Sequence, residues 1–508
     1  MFLRATSFIL PRRCFVWIIR APPAQADAFV RLRSRIRKSR AMTDFARVSW
    51  PTQMMATQLV YCGRLGRDEL STATVSMTLF LMMWMAITGA GGTMDTLGSQ
   101  AYGAGDARAV KSWAMLTTAV IVACCVPMNI VLSAAKEIAQ GVFNLDSAQA
   151  ADVRACCLVL SIGLWPLALT LGVQKYLAVQ RRVMAIGVTS LLTLVANIAF
   201  HEAFMNVAHK GVLGSQWAMT VARVANLLFL LAYCAYIENW HRKGTFQEYY
   251  EAGKAITRDM FYRAVRLSFS GVLMVFGEAF AFEMTVVMAS QLGEVELNAH
   301  MIMLNIATFS FMCGPMALGT AASIRVGNLL GARDECRAKR AAWLIVAMSV
   351  TWMGCCATTI ITSNRSIAKL YTNDDSDVIS LVSKIAPFCA MFQLCDGLLG
   401  ACNGVLRACG KQFLIAWTCL LSLWVVGLSS AALFAFVGDY GVRGIWWGLA
   451  MGVCSAGTSL AFHCTRLDWR HEAYVAKRSA TNIGRDYDDD YADDFEPKRD
   501  DAASTLEQ

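Results

Sequence analysis

The sequence predicts an all-α integral membrane protein of twelve transmembrane helices, arranged as two six-helix lobes related by internal duplication. Three observations carry that expectation. Hydrophobic residues make up 56% of the 508 and charged ones only 16%, against about 25% charged in soluble proteins. Apolar runs long enough to cross a bilayer core, at about 20 residues for about 30 Å, recur twelve times along the chain. The second half also repeats short motifs of the first at a nearly constant offset.

The predicted spans lie near residues 46–63, 70–92, 112–134, 153–174, 183–204, 212–237, 264–291, 299–322, 341–362, 378–404, 413–436 and 442–464, numbered 1 to 12 below. They divide the chain into a basic N-terminal segment (1–45), an N-lobe (46–237), a cytoplasmic linker (238–263), a C-lobe (264–464) and an acidic, disordered tail (465–508). Residues 1–41 hold nine Arg, one Lys and the single acid Asp27, the composition of a disordered arm or an organellar targeting segment. The tail carries "RDYDDDYADDFEPKRDD" (485–501), where clustered like charges cannot build a core.

The formal net charge of +9 is spread by loop rather than gathered on one face, which argues against a nucleic-acid partner. Lys and Arg concentrate in the connections after even-numbered spans, as in Arg242, Lys243, Lys254 and Arg258, or Arg333, Arg337, Lys339 and Arg340. By the positive-inside rule these connections and both termini are expected in the cytoplasm. The 18 cysteines, including the pairs Cys124–Cys125, Cys156–Cys157 and Cys355–Cys356, contain no zinc-like spacing and read as small apolar fillers rather than a disulfide framework.

The repeat appears in three aligned places. "RLGRDEL" (64–70) matches "QLGEVEL" (291–297) at an offset of 227, "YGAGDARAVK" (102–111) matches "LGARDECRAK" (330–339) at 228, and "KGVLGSQW" (210–217) matches "YGVRGIWW" (440–447) at 230. Each unit has an even number of spans, so the two copies share one orientation and are related by an axis along the membrane normal. A cavity between two such halves is transporter architecture.

Four segments resemble motifs of the multidrug and toxic compound extrusion (MATE) family, and of its eukaryotic members in particular. They are "TMDTLGSQAYGAGD" (93–106) on span 2, "GEAFAFEM" (277–284) on span 7, "GPMALGTAASIRVGNLLGARD" (314–334) on span 8 and "CDGLLGACNGVLRACGKQ" (395–412) on span 10. The resemblance covers about residues 48–465 and implies an antiporter that exports organic cations, drugs or metabolites in exchange for protons, or for sodium. It departs from the family at the first span, where Pro51 lies only 15 residues before Gly66, and at span 8, where Asn305 stands in place of a Glu that some animal members carry.

An antiporter needs a group that holds either a proton or the substrate, and a carboxylate in a low-dielectric cavity does this. Glu278 lies 12 residues after Arg266 and 13 before Gln291, hence about 18 Å from each polar boundary at 1.5 Å per residue. Asp396 lies 12 residues after Lys384 and 11 before Arg407, at nearly the same depth. Charges there cost about 2.5–3.5 kcal/mol each on insertion scales, so the two acids are the expected coupling pair, and the resemblance implies the same role for them. Glu283, about 140° further round span 7, is expected in the pathway. Asn305 and Asn403 are weaker cavity candidates, and Trp84, Phe276, Phe280, Phe282 and Trp424 could hold a flat cation against their ring faces.

In the first lobe, His201 and Glu202 are expected as a solvated pair near the membrane surface, and Arg223 is a mid-span cation for which Glu202 is one possible partner. Asp95, beyond the apolar part of span 2, is expected to close an inner gate with Arg325. No cofactor is expected beyond the coupling ion, a proton or sodium. The partners are the bilayer and a small cationic organic molecule, and the chain is expected to be a monomer in the plasma membrane or an acidic organelle. The alternatives are a lipid-linked oligosaccharide flippase of the same superfamily and, from another class, an integral membrane enzyme. With six histidines and no nucleophile–base or metal cluster, the second has little to build on.

Overall fold

The duplication is written into the backbone of the turns. The computed structural model describes residues 57–58, 61–62, 65, 67–143, 145–236, 245–369, 371 and 376–480. Left-handed residues occur in it as counterparts: Gly105 (φ 81°) with Arg333 (φ 55°), Arg181 (66°) with Gly410 (74°), His209 (52°) with Asp439 (55°), and Gly211 (54°) with Gly441 (56°). The separations run from 228 to 230, as the sequence motifs do. The helix caps repeat as well, since Asp106 accepts from the Ala109 N–H at 2.8 Å and Asp334 from the Arg337 N–H at 3.0 Å.

Among the described residues, eleven helices are long and apolar enough to cross a membrane. Spans 2 to 6 are Glu69–Gly103, Ala107–Ser133, Ser147–Val179, Val183–Val207 and Gly211–Ala235. Spans 7 to 12 are Arg258–Ser290, Glu294–Gly331, Glu335–Ala368, Ser376–Ala408, Gln412–Val437 and Val442–Thr465. Span 1, expected at 46–63, falls outside the described residues except for short helical pieces at 57–58 and 61–62. The basic segment 1–45 lies wholly outside them. Each lobe has its own apolar core, around Ile87, Leu160, Leu164 and Met219 in the first and Phe392, Leu399, Ile445 and Trp446 in the second.

Several helices are interrupted where a membrane would otherwise demand an unbroken ladder. Span 8 turns at Gly314 (φ −123°, ψ −83°) before Pro315, whose missing N–H frees carbonyls in the preceding turn, and Trp352 Nε1 donates to Ser310 O at 3.1 Å. Span 2 loosens into a π-helical turn at Met94–Gly98, and span 11 does so at Leu421–Leu428.

The two lobes meet on the side of the basic loops, where spans 2 and 8 cross. A Cβ on Gly103 would collide with the Asn328 carbonyl, and one on Gly331 with the Gln100 carbonyl. Gln100 and Asn328 are repeat counterparts, as are Gly103 and Gly331, so the contact is reciprocal about the pseudo-twofold axis. Hydrogen bonds surround it. Thr96 donates to Arg407 O at 2.7 Å, Gln100 to Ala408 O at 2.7 Å, Gln412 to Gly92 O at 3.1 Å, and Ser268 to Ala90 O at 2.9 Å. Span 7 also rides directly on span 2 through Gly89 and Gly271, each of whose Cβ positions is filled by the other's carbonyl.

Three expectations change. The helices overrun their apolar windows, most of all span 2, which continues to Gly103 instead of ending near 92. Its polar end is covered by spans 8 and 11 instead of water, and Thr93, Thr96 and Ser99 are fully buried. Part of the linker and the start of the tail are ordered. Within the linker Thr245–Lys254 is helical, Lys111 pairs with Glu248, and span 7 begins at Arg258.

After span 12, Trp469–Ala480 forms a helix capped by Asp468, so the predicted tail does not begin at 465. Trp469, Ala473 and Ala476 form a buried stripe at spacings of four and three, and Lys411 Nζ meets Glu472 at 2.7 Å. The acidic stretch that suggested disorder lies further on, outside the described residues. Finally, Cys395 and Cys454 join spans 10 and 12 in a disulfide, with Cα atoms 5.0 Å apart, while the other described cysteines are free.

If the seam depends on bare backbone, Gly331→Val should cost roughly 1–3 kcal/mol by overpacking. Thermal unfolding in detergent should show a lower midpoint for it and none for Gly141→Val, where a Cβ would meet open space.

Candidate functional site

Span 7 carries Glu278 half-buried, one turn beyond Met274, on the helix that lies against span 2. Span 10 carries Asp396, 4% exposed, on its inward stripe. The Glu278 charge interacts with those of both Asp396 and Arg407. Arg407 stands eleven residues, three turns, beyond Asp396 on span 10, and its Nη2 lies 4.0 Å from Met274 Sδ on span 7. The predicted pair of mid-membrane acids is therefore one electrostatic unit, with a guanidinium on its basic-loop side. Asn403 is buried on span 10 and leaves its Oδ1 unpartnered.

Aromatic rings line another face of span 7, two residues before and after Glu278 and so turned well away from it round the helix. Phe276 and Phe280 stack with centroids 5.8 Å apart and planes within 8°, and Trp424 follows at 5.7 Å from Phe280. The Trp424 indole is fixed by donating to Gly277 O at 3.1 Å. The other two aromatic candidates lie elsewhere. Trp84 is buried in the N-lobe core, and Phe282 turns to Phe392 at 5.9 Å in the C-lobe core. Glu283 is half-buried outside the acid pair, and Asn305 is exposed on the face of span 8 that also presents Met301 and Phe309.

Asp95 is fully buried where the lobes meet, and its partners are not the expected one. Its Oδ2 is bound by Lys175 Nζ of span 4 and lies 3.8 Å from Arg407 Nη1 across the seam, while Ser323 Oγ of span 8 donates to Asp95 O at 3.4 Å. Arg325, proposed from sequence as the gate partner, is exposed and engaged elsewhere. The reason is the symmetry. Counterparts face one another at a twofold axis, so span 8 presents Ser323 to Asp95, and Arg325, two residues on, points about 200° away.

Lys175 and Arg407, which stand just past the predicted apolar windows, join the candidate site although sequence reasoning did not single them out. A lysine one residue past a span whose helix continues to Val179 was the available signal. His201 and Glu202 also separate. His201 is buried between Asn197 O, at 2.8 Å, and Ser215 Oγ, at 3.2 Å, and Glu202 is exposed and accepts from Tyr61 and Asn206.

Two apolar helical lobes closed against each other at one end, with interacting acids on spans 7 and 10 of one lobe, fit a membrane transporter, and the comparisons with known proteins agree. The MatE family model matches residues 51–201 and 272–433, and the chain belongs to this family of transporters, which are not enzymes. Multidrug and toxin extrusion protein 2 of Mus musculus is 28% identical over 427 residues, covering 82% of this chain and 72% of that protein. Multidrug and toxin extrusion protein 1 of Xenopus tropicalis is 27% identical over 428 residues, covering 83% and 72%. Among solved structures, the eukaryotic MATE transporter AtDTX14 superposes with a TM-score of 0.78 at 20% identity, over 87% of this chain and 97% of that one.

Removing one partner of a buried ion pair strands the other at a cost of about 3–5 kcal/mol. Lys175→Gln should therefore lower the thermal midpoint strongly, and Lys175→Gln combined with Asp95→Asn should recover most of the loss. Equal midpoints for the single and double variants would show that the pair carries no such energy.

Proposed function

We propose that this chain exports small organic cations from the cytoplasm in exchange for protons, by alternating access between its two lobes. The observation that carries this is the interaction between the Glu278 and Asp396 charges inside the C-lobe, with the Phe276, Phe280 and Trp424 rings on another face of span 7. Two neighbouring carboxylates in a low-dielectric site repel each other unless a proton or a cation lies between them. Rings within about 6 Å attract a desolvated cation by about 2 kcal/mol, which favours flat or alkylated ammonium substrates. The names of the vertebrate relatives, extrusion proteins for drugs and toxins, support the direction of transport.

In this reading the basic loops face the cytoplasm, and the closure of spans 2 and 8 corresponds to an outward-open state. Protons arriving from outside neutralise the acid pair, the cation leaves outward, and Arg407 is released from Glu278 toward Asp95, which holds the inner side shut. When the lobes rock apart at the cytoplasmic end, the protons leave and the acids accept the next cation. Arg407 thus takes the gate role first given to Arg325.

One unit of inward-directed pH gradient supplies about 1.4 kcal/mol per proton, enough for about tenfold accumulation of a substrate exchanged one for one. In proteoliposomes, radiolabelled tetraethylammonium should move toward the acidic side and stop moving when the gradient is dissipated. Glu278→Gln should lose gradient-driven movement while reaching the membrane at wild-type level. Wild-type coupling in that variant, or transport driven by a sodium gradient with no pH gradient, would sink the assignment.

A further inference from the structure

The helix Trp469–Ala480 takes no part in the exchange proposed above, yet it lies at the closed end of the molecule. It packs along spans 8 and 9 of its own lobe and against the last turns of span 2, including the π-helical turn that holds Asp95. Its buried stripe of Trp469, Ala473 and Ala476 belongs to the C-lobe core, and the Arg333 guanidinium lies 5.8 Å over the Tyr474 ring. A helix rooted in one lobe and touching the other at the seam is placed to resist their separation.

The chain turns from span 10 to span 11 between Arg407 and Gln412, through the left-handed Gly410 (φ 74°). This turn grips span 2. Arg407 O and Ala408 O accept from Thr96 and Gln100, Gln412 donates to Gly92 O, and Arg407 Nη1 lies 3.8 Å from Asp95 Oδ2. Lys411, in the same turn, is held by the tail helix, where its Nζ meets Glu472 Oε1 at 2.7 Å. The Lys411 side chain is 38% exposed and that of Glu472 only 8%. A nearly buried carboxylate is costly without a cation beside it, so the pair fixes where the turn can sit.

We propose that Glu472 is a positioning residue of the inner gate. Acting through Lys411, it keeps the Arg407–Gln412 turn in the shape that binds span 2, and the tail helix thereby stabilises the state closed on the side of the basic loops. This deepens the alternating-access reading and rests on it. Loss of the pair should raise the fraction of molecules open on that side. Glu472→Gln is the variant that tests it, because Lys411 can then turn to water and no buried charge is stranded.

Full-length protein carrying Ser323→Cys, in nanodiscs without substrate or pH gradient, would be treated with a maleimide and labelling at each cysteine followed by peptide mass spectrometry. Position 323 is fully buried at the seam, and Cys389, fully buried in the C-lobe core, reports general loosening. Adding Glu472→Gln should speed labelling at position 323 about threefold, the population shift that one half-exposed ion pair supports, and leave Cys389 unchanged. Exchanging the charges, Lys411→Glu with Glu472→Lys, should restore the parent rate. Should that chain fail to fold, Lys411→Arg, which keeps the pair, should label at the parent rate. An unchanged rate at position 323 in Glu472→Gln would overturn the role. So would an equal rise at Cys389, or a rise that persists in the variants that keep the pair. Failure of the exchange reading would show separately, as absent cation movement in proteoliposomes with the labelling response intact.

Discussion

Where spans 2 and 8 cross, two backbones touch with no side chain between them, and the rest of the molecule is arranged around that contact. Gly103 and Gly331 make it possible, each resting on a carbonyl of the opposite helix. Close approach excludes lipid and water, so the polar end of span 2 can be buried, and burial in turn requires that every donor and acceptor find a partner. Thr93, Thr96, Gln100 and Gln412 meet much of that demand by bonding across the seam, while Gln100 Oε1 and Gln412 Oε1 stay unpartnered.

The backbone obeys the twofold symmetry and the chemistry does not. Left-handed turns, caps and glycine contacts recur at separations of 228–230. The acids Glu278 and Asp396 occur in the C-lobe, the corresponding interior of the N-lobe carries Arg223, and Asp95 faces Ser323 on the axis. Symmetry supplies two lobes, and in the proposed exchange the asymmetric charges decide which lobe senses the proton. Arg407 links the levels, since it interacts with Glu278 on one side and lies 3.8 Å from Asp95 on the other.

Much of this was legible in the sequence, and the reasons are physical. Apolar length reports spans because lipid imposes it, and counting residues between polar boundaries singled out Glu278 and Asp396, whose charges the fold brings into interaction. What failed was every inference that equated a helix with its apolar window. Lys175 and Arg407 stand where the apolar windows stop, yet protein rather than lipid surrounds those turns. Arg325 was chosen for its charge, although the repeat already aligned Asp95 with Ser323 and thereby turned Arg325 away. The helix Trp469–Ala480 was hidden because its buried stripe consists of one Trp and two Ala among charges, a signal weaker than the acidic run that follows it.

The central claim is that transport requires the seam between spans 2 and 8 to open. Tyr102 is exposed at the basic-side end of span 2, and Ala332 is exposed just beyond span 8. Tyr102→Cys and Ala332→Cys, joined by a short reducible bifunctional reagent, would fasten that end, with the wild-type chain and its native cysteines treated in parallel. Gradient-driven cation movement should be lost in proportion to the fraction cross-linked and return when the linker is cut. Undiminished transport by fully cross-linked protein would contradict the account.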